Sequence, residues 1–161
     1  MEYEPDFPRC FIKRTLTNLE NYQSNCQNSC QEKYEATQLL NSLLGLLIVP
    51  NESLYERIST TPLDTLSANE WGAVSTWITQ PIKCDLGHTH TLTLRQFVRK
   101  LRNAVAHFHI KPYPEEGIVE GFEFADKPRK PSFKAKIPVA ELNQFVKQLA
   151  STLDNPQGGS A

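Results

Sequence analysis

The chain lacks an apolar run long enough to cross a bilayer. In 161 residues the longest is LLGLLIV (residues 43–49), against roughly 20 for a membrane-spanning helix. The opening MEYEPDFPRC is acidic where a secretion signal would be basic and then greasy. A cytoplasmic protein with no membrane partner is therefore expected. An excess of either charge is also missing, because 17 Lys and Arg stand against 18 Asp and Glu, for a net charge of -1. Any RNA or DNA binding must then come from a local patch. Cysteine is sparse. Cys10, Cys26, Cys30 and Cys84 lack the density of a disulfide scaffold and read as thiols in a reducing compartment. There is no internal repeat. A chain of this length buries a core without staples, so one domain is expected over residues 1–154, followed by a disordered tail over residues 155–161.

What is present is mostly helical patterning. Phe11, Ile12, Leu16 and Leu19 recur at near-helical spacing and predict a first amphipathic helix over residues 8–22. NSCQEKYEATQLLNSLLGLLIVP predicts a second, with Ser29 as N-cap, Glu32 three residues on and Pro50 as the stop. Its last third is apolar nearly all round, the pattern of a central bundle helix. Residues 51–91 carry Pro62, Gly72, Pro81 and Gly87 and read as a long, mobile, partly helical connection, with a short helix around SANEWGAVSTWI. TLRQFVRKLRNAVAHF restores a strong helical period, capped by Thr93 and stopped by Pro112. GIVEGFEFAD and SFKAKI then alternate apolar and polar residues around the turn DKPRKP, which predicts a two-stranded hairpin over residues 118–137. PVAELNQFVKQLASTL, with Pro138 in its first turn, predicts a final helix.

LRNAVAHFHI (residues 101–110) sets an arginine, an asparagine and two histidines in an otherwise apolar segment. On a helix of 3.6 residues per turn, Leu94, Phe97, Val98, Leu101, Ala104, Val105 and Phe108 form one stripe facing the core. Asn103 and His107 stack four apart on the opposite face, beside Gln96, Arg99 and Lys100, while Arg102 lies nearer the edge. His109, two positions past His107, is expected to project to a different side. An exposed helix interior would favour Lys, Glu or Gln over Asn103 and would welcome a charge at Ala106. A polar face with so low a wall suits a second protein surface.

RNAVAH (residues 102–107) resembles the R-x4-6-H motif of the HEPN ribonucleases, including the polar residue after the arginine. TQLLNSLLGLLIVPNE and the VEGFEF hairpin followed by a helix are similar to a plasmid- and chromosome-borne HEPN subgroup, and the likeness covers residues 7–153. It implies a mainly α fold, a HEPN-like helical bundle with a C-terminal β-hairpin and a final helix. It further implies a homodimer in which two such helices face each other and build one RNA-cleaving site without a metal or other cofactor. His107 would be general acid or base, Arg102 would hold the scissile phosphate and Asn103 would orient groups. Arg95, Arg99 and Lys100 would add charge for the RNA backbone. The chemistry suits these side chains, because imidazole titrates near neutrality and the guanidinium fork matches phosphate oxygens bidentately. The resemblance implies the toxin of a toxin–antitoxin or phage-defence system, with an antitoxin protein as partner; the alternative is a HEPN-like module that binds RNA, a nucleotide or a protein without cutting. Relatives silenced by a nucleotidyltransferase carry a tyrosine two residues after the histidine. Here that position holds His109, which puts that route in doubt.

Three other features weigh less. Cys84, His88 and His90 in CDLGHTH lack a fourth zinc ligand, and Cys26 and Cys30 lack a partner pair, so they read as loop residues and free thiols. Trp71 and Trp77 are expected to anchor the connection on the bundle rather than stack bases. KPRKPSFKAK is a basic run that reads as a solvated hairpin able to steer RNA.

Overall fold

The computed structural model describes residues 6–28, 35–50, 52–80, 92–115 and 118–155. Along them run α1 (Phe7–Asn28), α2 (Glu35–Ile48), α3 (Glu52–Tyr55), a 3-10 turn (Leu63–Thr65), α4 (Ala68–Trp71), α5 (Val74–Trp77) and β1 (Ile78–Gln80). Then come α6 (Leu94–Ala106), β2 (Ile110–Glu115), β3 (Ile118–Ala125), β4 (Lys134–Pro138) and α7 (Val139–Asp154). The fold is mainly α with a final helix, as the patterning predicts, and carries a small antiparallel sheet.

The leucines of α2 locate the core. Leu39, Leu43, Leu46 and Leu47 are fully buried because α1, α6 and α7 all pack on this helix, which is why its sequence is apolar nearly all round. Gly45 permits the closest approach, since a Cβ there would sit 2.7 Å from Phe11 Cε1. α6 contributes Leu94, Phe97, Val98, Leu101, Ala104 and Val105, and α7 contributes Leu142, Phe145, Val146, Leu149, Ala150 and Leu153. Bundle and sheet meet on aromatic rings. Phe97 lies edge-on to Phe145 and Phe133, with both centroid distances 5.9 Å, and Trp77 lies edge-on to Phe145 at 5.6 Å.

Several expectations change. α1 runs six residues past the predicted end at Tyr22, to Asn28. Ser29 and Glu32, the predicted cap of the second helix, lie outside the described residues, as do Cys84, His88, His90 and residues 156–161. The connection, expected to be mobile, is packed over residues 54–77, with Leu54, Tyr55, Ile58, Leu63, Trp71, Val74 and Trp77 buried. Trp77 Nε1 donates to Glu141 Oε2 at 2.8 Å, and the same oxygen accepts the Ala73 amide at 3.0 Å. The Trp71 ring lies 5.8 Å from that of Phe145, so both tryptophans anchor the connection on α7.

The hairpin is part of something larger, a four-stranded antiparallel sheet in the order β1-β4-β3-β2. Pro112 does not stop a helix but pairs with Phe122 inside β2. Two prolines, Pro112 and Pro114, are tolerated there because β2 is an edge strand with one side free of ladder partners. At Gly121 no side chain fits, because a Cβ there would collide with the Ile137 carbonyl oxygen and the Tyr113 hydroxyl.

Candidate active site

Helix α6 is fixed first at its N-terminus. Thr93 Oγ1 accepts the Gln96 amide at 3.3 Å, and Gln96 Oε1 accepts the Thr93 amide at 3.0 Å, a reciprocal capping box. The Leu94 and Arg95 amides donate to the carbonyls of Thr61 and Ser59, at 3.0 and 3.1 Å. Arg95 Nε donates to the Ile58 carbonyl at 2.8 Å, and its guanidinium also reaches the Glu56 carbonyl. Arg95 therefore clamps the turn after α3. At 1.5 Å per residue it stands about 18 Å along the axis from His107, and the structure does not gather it with the other site residues.

The opposite end of α6 carries the predicted residues. Arg102 is half-buried, with its guanidinium carbon 4.9 Å from the centroid of the Tyr55 ring, a cation–π contact. Tyr55 is fully buried, and its hydroxyl donates to the Leu47 carbonyl at the end of α2. Asn103, Ala106 and His107 are exposed, and the Asn103 carbonyl accepts the His107 amide at 3.2 Å. Arg102, Asn103 and His107 thus sit within the last turn and cap of one helix.

The helix ends earlier than its periodicity predicts. Ala106 is its last residue and His107 is the C-cap, at φ -102° and ψ 8°. Phe108, assigned above to the core stripe, is 80% exposed and adopts a left-handed φ of 53°. Its amide donates to the Val105 carbonyl at 3.0 Å, and the His109 amide donates to the Ala104 carbonyl at 2.7 Å. Together these are a Schellman closure, which satisfies two terminal carbonyls and turns the chain toward β2. The His109 carbonyl then accepts the Ala125 amide at 3.1 Å. The reversal also corrects the expected placing of His109. Its ring stacks on that of His107, with centroids 5.8 Å apart and planes at 28°, whereas an uninterrupted helix would separate the two by about 200° of rotation. Its Nδ1 is shielded and has no hydrogen-bond partner among the described residues.

Arg99 is exposed and Lys100 half-buried on the same helix. Lys100 Nζ lies 3.6 Å from Asp126 Oδ2. Asp126 Oδ1 also accepts the Ser132 and Phe133 amides, at 2.9 and 3.1 Å, and its other oxygen binds the Ser132 hydroxyl. Burial alone would raise this carboxyl. The Ser132 hydroxyl, the Phe133 amide, the Lys100 ammonium and the Ser132 amide together outweigh it and hold the group below its ordinary value.

Tyr55 carries no signal in the sequence that joins it to Arg102, 47 positions further along the chain. Phe108 leaves the core stripe because the helix stops at Ala106, and the extended IKPYPE that follows is the signal in the sequence for that earlier end. Among the described residues no three of His, Cys, Asp and Glu gather as a metal site would require, and no helix is long and apolar enough to cross a membrane.

A mainly helical bundle with an R-x4-H pair at the exposed end of a core helix defines a HEPN-type module. The family model described as HEPN pEK499 p136 matches residues 1–159, and the chain belongs to that family. Comparison with curated proteins and with solved structures gives no match.

Proposed function

We propose that the protein is an endoribonuclease that works as a homodimer without a metal, with a composite site of Arg102, Asn103 and His107 from each copy. The observation that carries this reading is the gathering of these three residues at one exposed helix end, with Arg102 over the Tyr55 ring, in a member of the HEPN family. In the reaction a neutral imidazole takes the proton of a 2'-hydroxyl, whose oxygen attacks the adjacent phosphorus. The bond from phosphorus to the 5'-oxygen breaks, and the imidazolium of the second copy protonates the leaving oxygen. Arg102 neutralises the crowded phosphorane through its bidentate fork, and Asn103 orients the reacting groups. The products are a 2',3'-cyclic phosphate and a 5'-hydroxyl. The biological setting this suits is the toxic effector of a toxin–antitoxin or phage-defence system, neutralised by an antitoxin protein.

The test is incubation of the purified protein with RNA and with DNA in EDTA. Cleavage of RNA alone, to cyclic-phosphate ends, is the expected outcome. Activity that vanishes with chelator and returns with Mg²⁺ or Mn²⁺ overturns the metal-independent reading.

A further inference from the structure

Phe108 occupies a position that the fold itself would give to glycine. At the residue after a helix C-cap, a left-handed φ favours Gly, and a bulky side chain there is unfavourable. Phe108 holds φ 53° and leaves 80% of its surface in water. Neither backbone strain nor exposed aromatic surface stabilises the protein alone, so the ring calls for an explanation outside the fold.

The surroundings supply one. Phe108 forms part of the wall of a cleft of about 260 Å³, lined also by His109, Lys111, Lys127, Pro128 and Lys134. That is small beside the roughly 300–1,000 Å³ of pockets for drug-sized ligands, a size for one base rather than a folded segment. Lys134 is neutralised by Glu123, with Nζ to Oε2 at 2.8 Å. Lys111 and Lys127 are exposed and have no ion-pair partner among the described residues. The cleft opens beside the His107–His109 stack.

We propose that this cleft is the binding subsite for a nucleotide next to the scissile phosphate, with its base stacked on the Phe108 ring and its backbone drawn by Lys111 and Lys127. The proposal rests on the ribonuclease reading above and adds the residue that holds the substrate strand. An aromatic face beside uncompensated ammonium groups is the combination that binds single-stranded nucleic acid, since every base has a π-face and every nucleotide carries a phosphate. A second copy of the chain is the competing occupant. A two-fold contact through this cleft would bring the lysines of both copies together, which favours a polyanion over a like-charged surface.

The experiment uses a His107→Ala background, so that RNA survives, and fluorescence anisotropy with a short labelled single-stranded RNA. Phe108→Gly removes the ring and relieves the backbone, so its melting temperature should equal or exceed that of the parent. It should weaken binding on the order of tenfold, the scale of one lost base stack. Phe108→Trp should keep the affinity. A 2-aminopurine in the RNA should be quenched by the parent and by Phe108→Trp but not by Phe108→Gly. Lys111→Ala with Lys127→Ala should flatten the salt dependence of binding. Unchanged affinity in Phe108→Gly overturns the subsite, and so does conversion of a dimer to a monomer by that substitution, which would assign the ring to the copy–copy contact. Catalysis is judged separately on the protein with His107 intact. Failure to cut RNA there sinks the ribonuclease reading while anisotropy still decides the subsite, and normal cutting with unaltered Phe108→Gly binding sinks the subsite alone.

Discussion

At the scale of single residues, the proposed chemistry divides unevenly among the polar groups of α6. His107 is exposed and makes no side-chain contribution to the core, so His107→Ala should fold normally and lower RNA cleavage on the order of 10²-fold or more. Arg102→Lys should also be poorly tolerated. A lysine is a point charge without the planar fork that meets phosphate oxygens bidentately, and it changes the cation–π contact on Tyr55. Cleavage rates measured with matched circular dichroism spectra check both substitutions. Wild-type rates in His107→Ala would leave the module as a binder of RNA or protein. These residues were legible in the sequence because a local motif carries them. The ring beneath Arg102 and the stack of His107 on His109 were not, since the first depends on how α3 packs against α6 and the second on a single left-handed residue.

Elements were legible in proportion to how local their causes are. The α6 stripe, its Thr93 cap and the apolar α2 follow from helical period and capping chemistry within a few residues. The three residues of β1 exist as a strand only because distant β4 offers them partners, and the two prolines of β2 disguise a strand as a stop. The structure of the β3–β4 connection makes a prediction about acid. Asp126 has a folded pKa below its ordinary 3.8, so its contribution is fully present above that value and is lost as pH falls through the folded one. Asp126→Asn should lower the melting temperature near neutrality and remove part of its fall below pH 3.8, read from thermal melts across pH. Gly121 tests the sheet differently. With the Ile137 carbonyl and the Tyr113 hydroxyl against any Cβ, Gly121→Ala should destabilise by about 2 kcal/mol or more in denaturant titration.

For the whole molecule the proposal demands two copies, because one His107 per chain leaves either the acid or the base missing. Light scattering at micromolar concentration should report a dimer, and the two His107 rings should approach each other across its axis. A monomer under those conditions, or a dimer with the rings remote and separately solvated, would overturn the composite site. The borders of the sheet bear on how such copies can meet. Among the described residues β1 is three residues long, and β2 lacks amide donors at Pro112 and Pro114, so neither described border offers an incoming chain a continuous row of hydrogen-bonding groups. Copies that cannot zip border to border have no route to an endless ribbon. Association is left to helices and loops, whose side chains can close a pair and stop at two, and the proposed nuclease, whose two halves must find each other, would thereby be protected from finding too many.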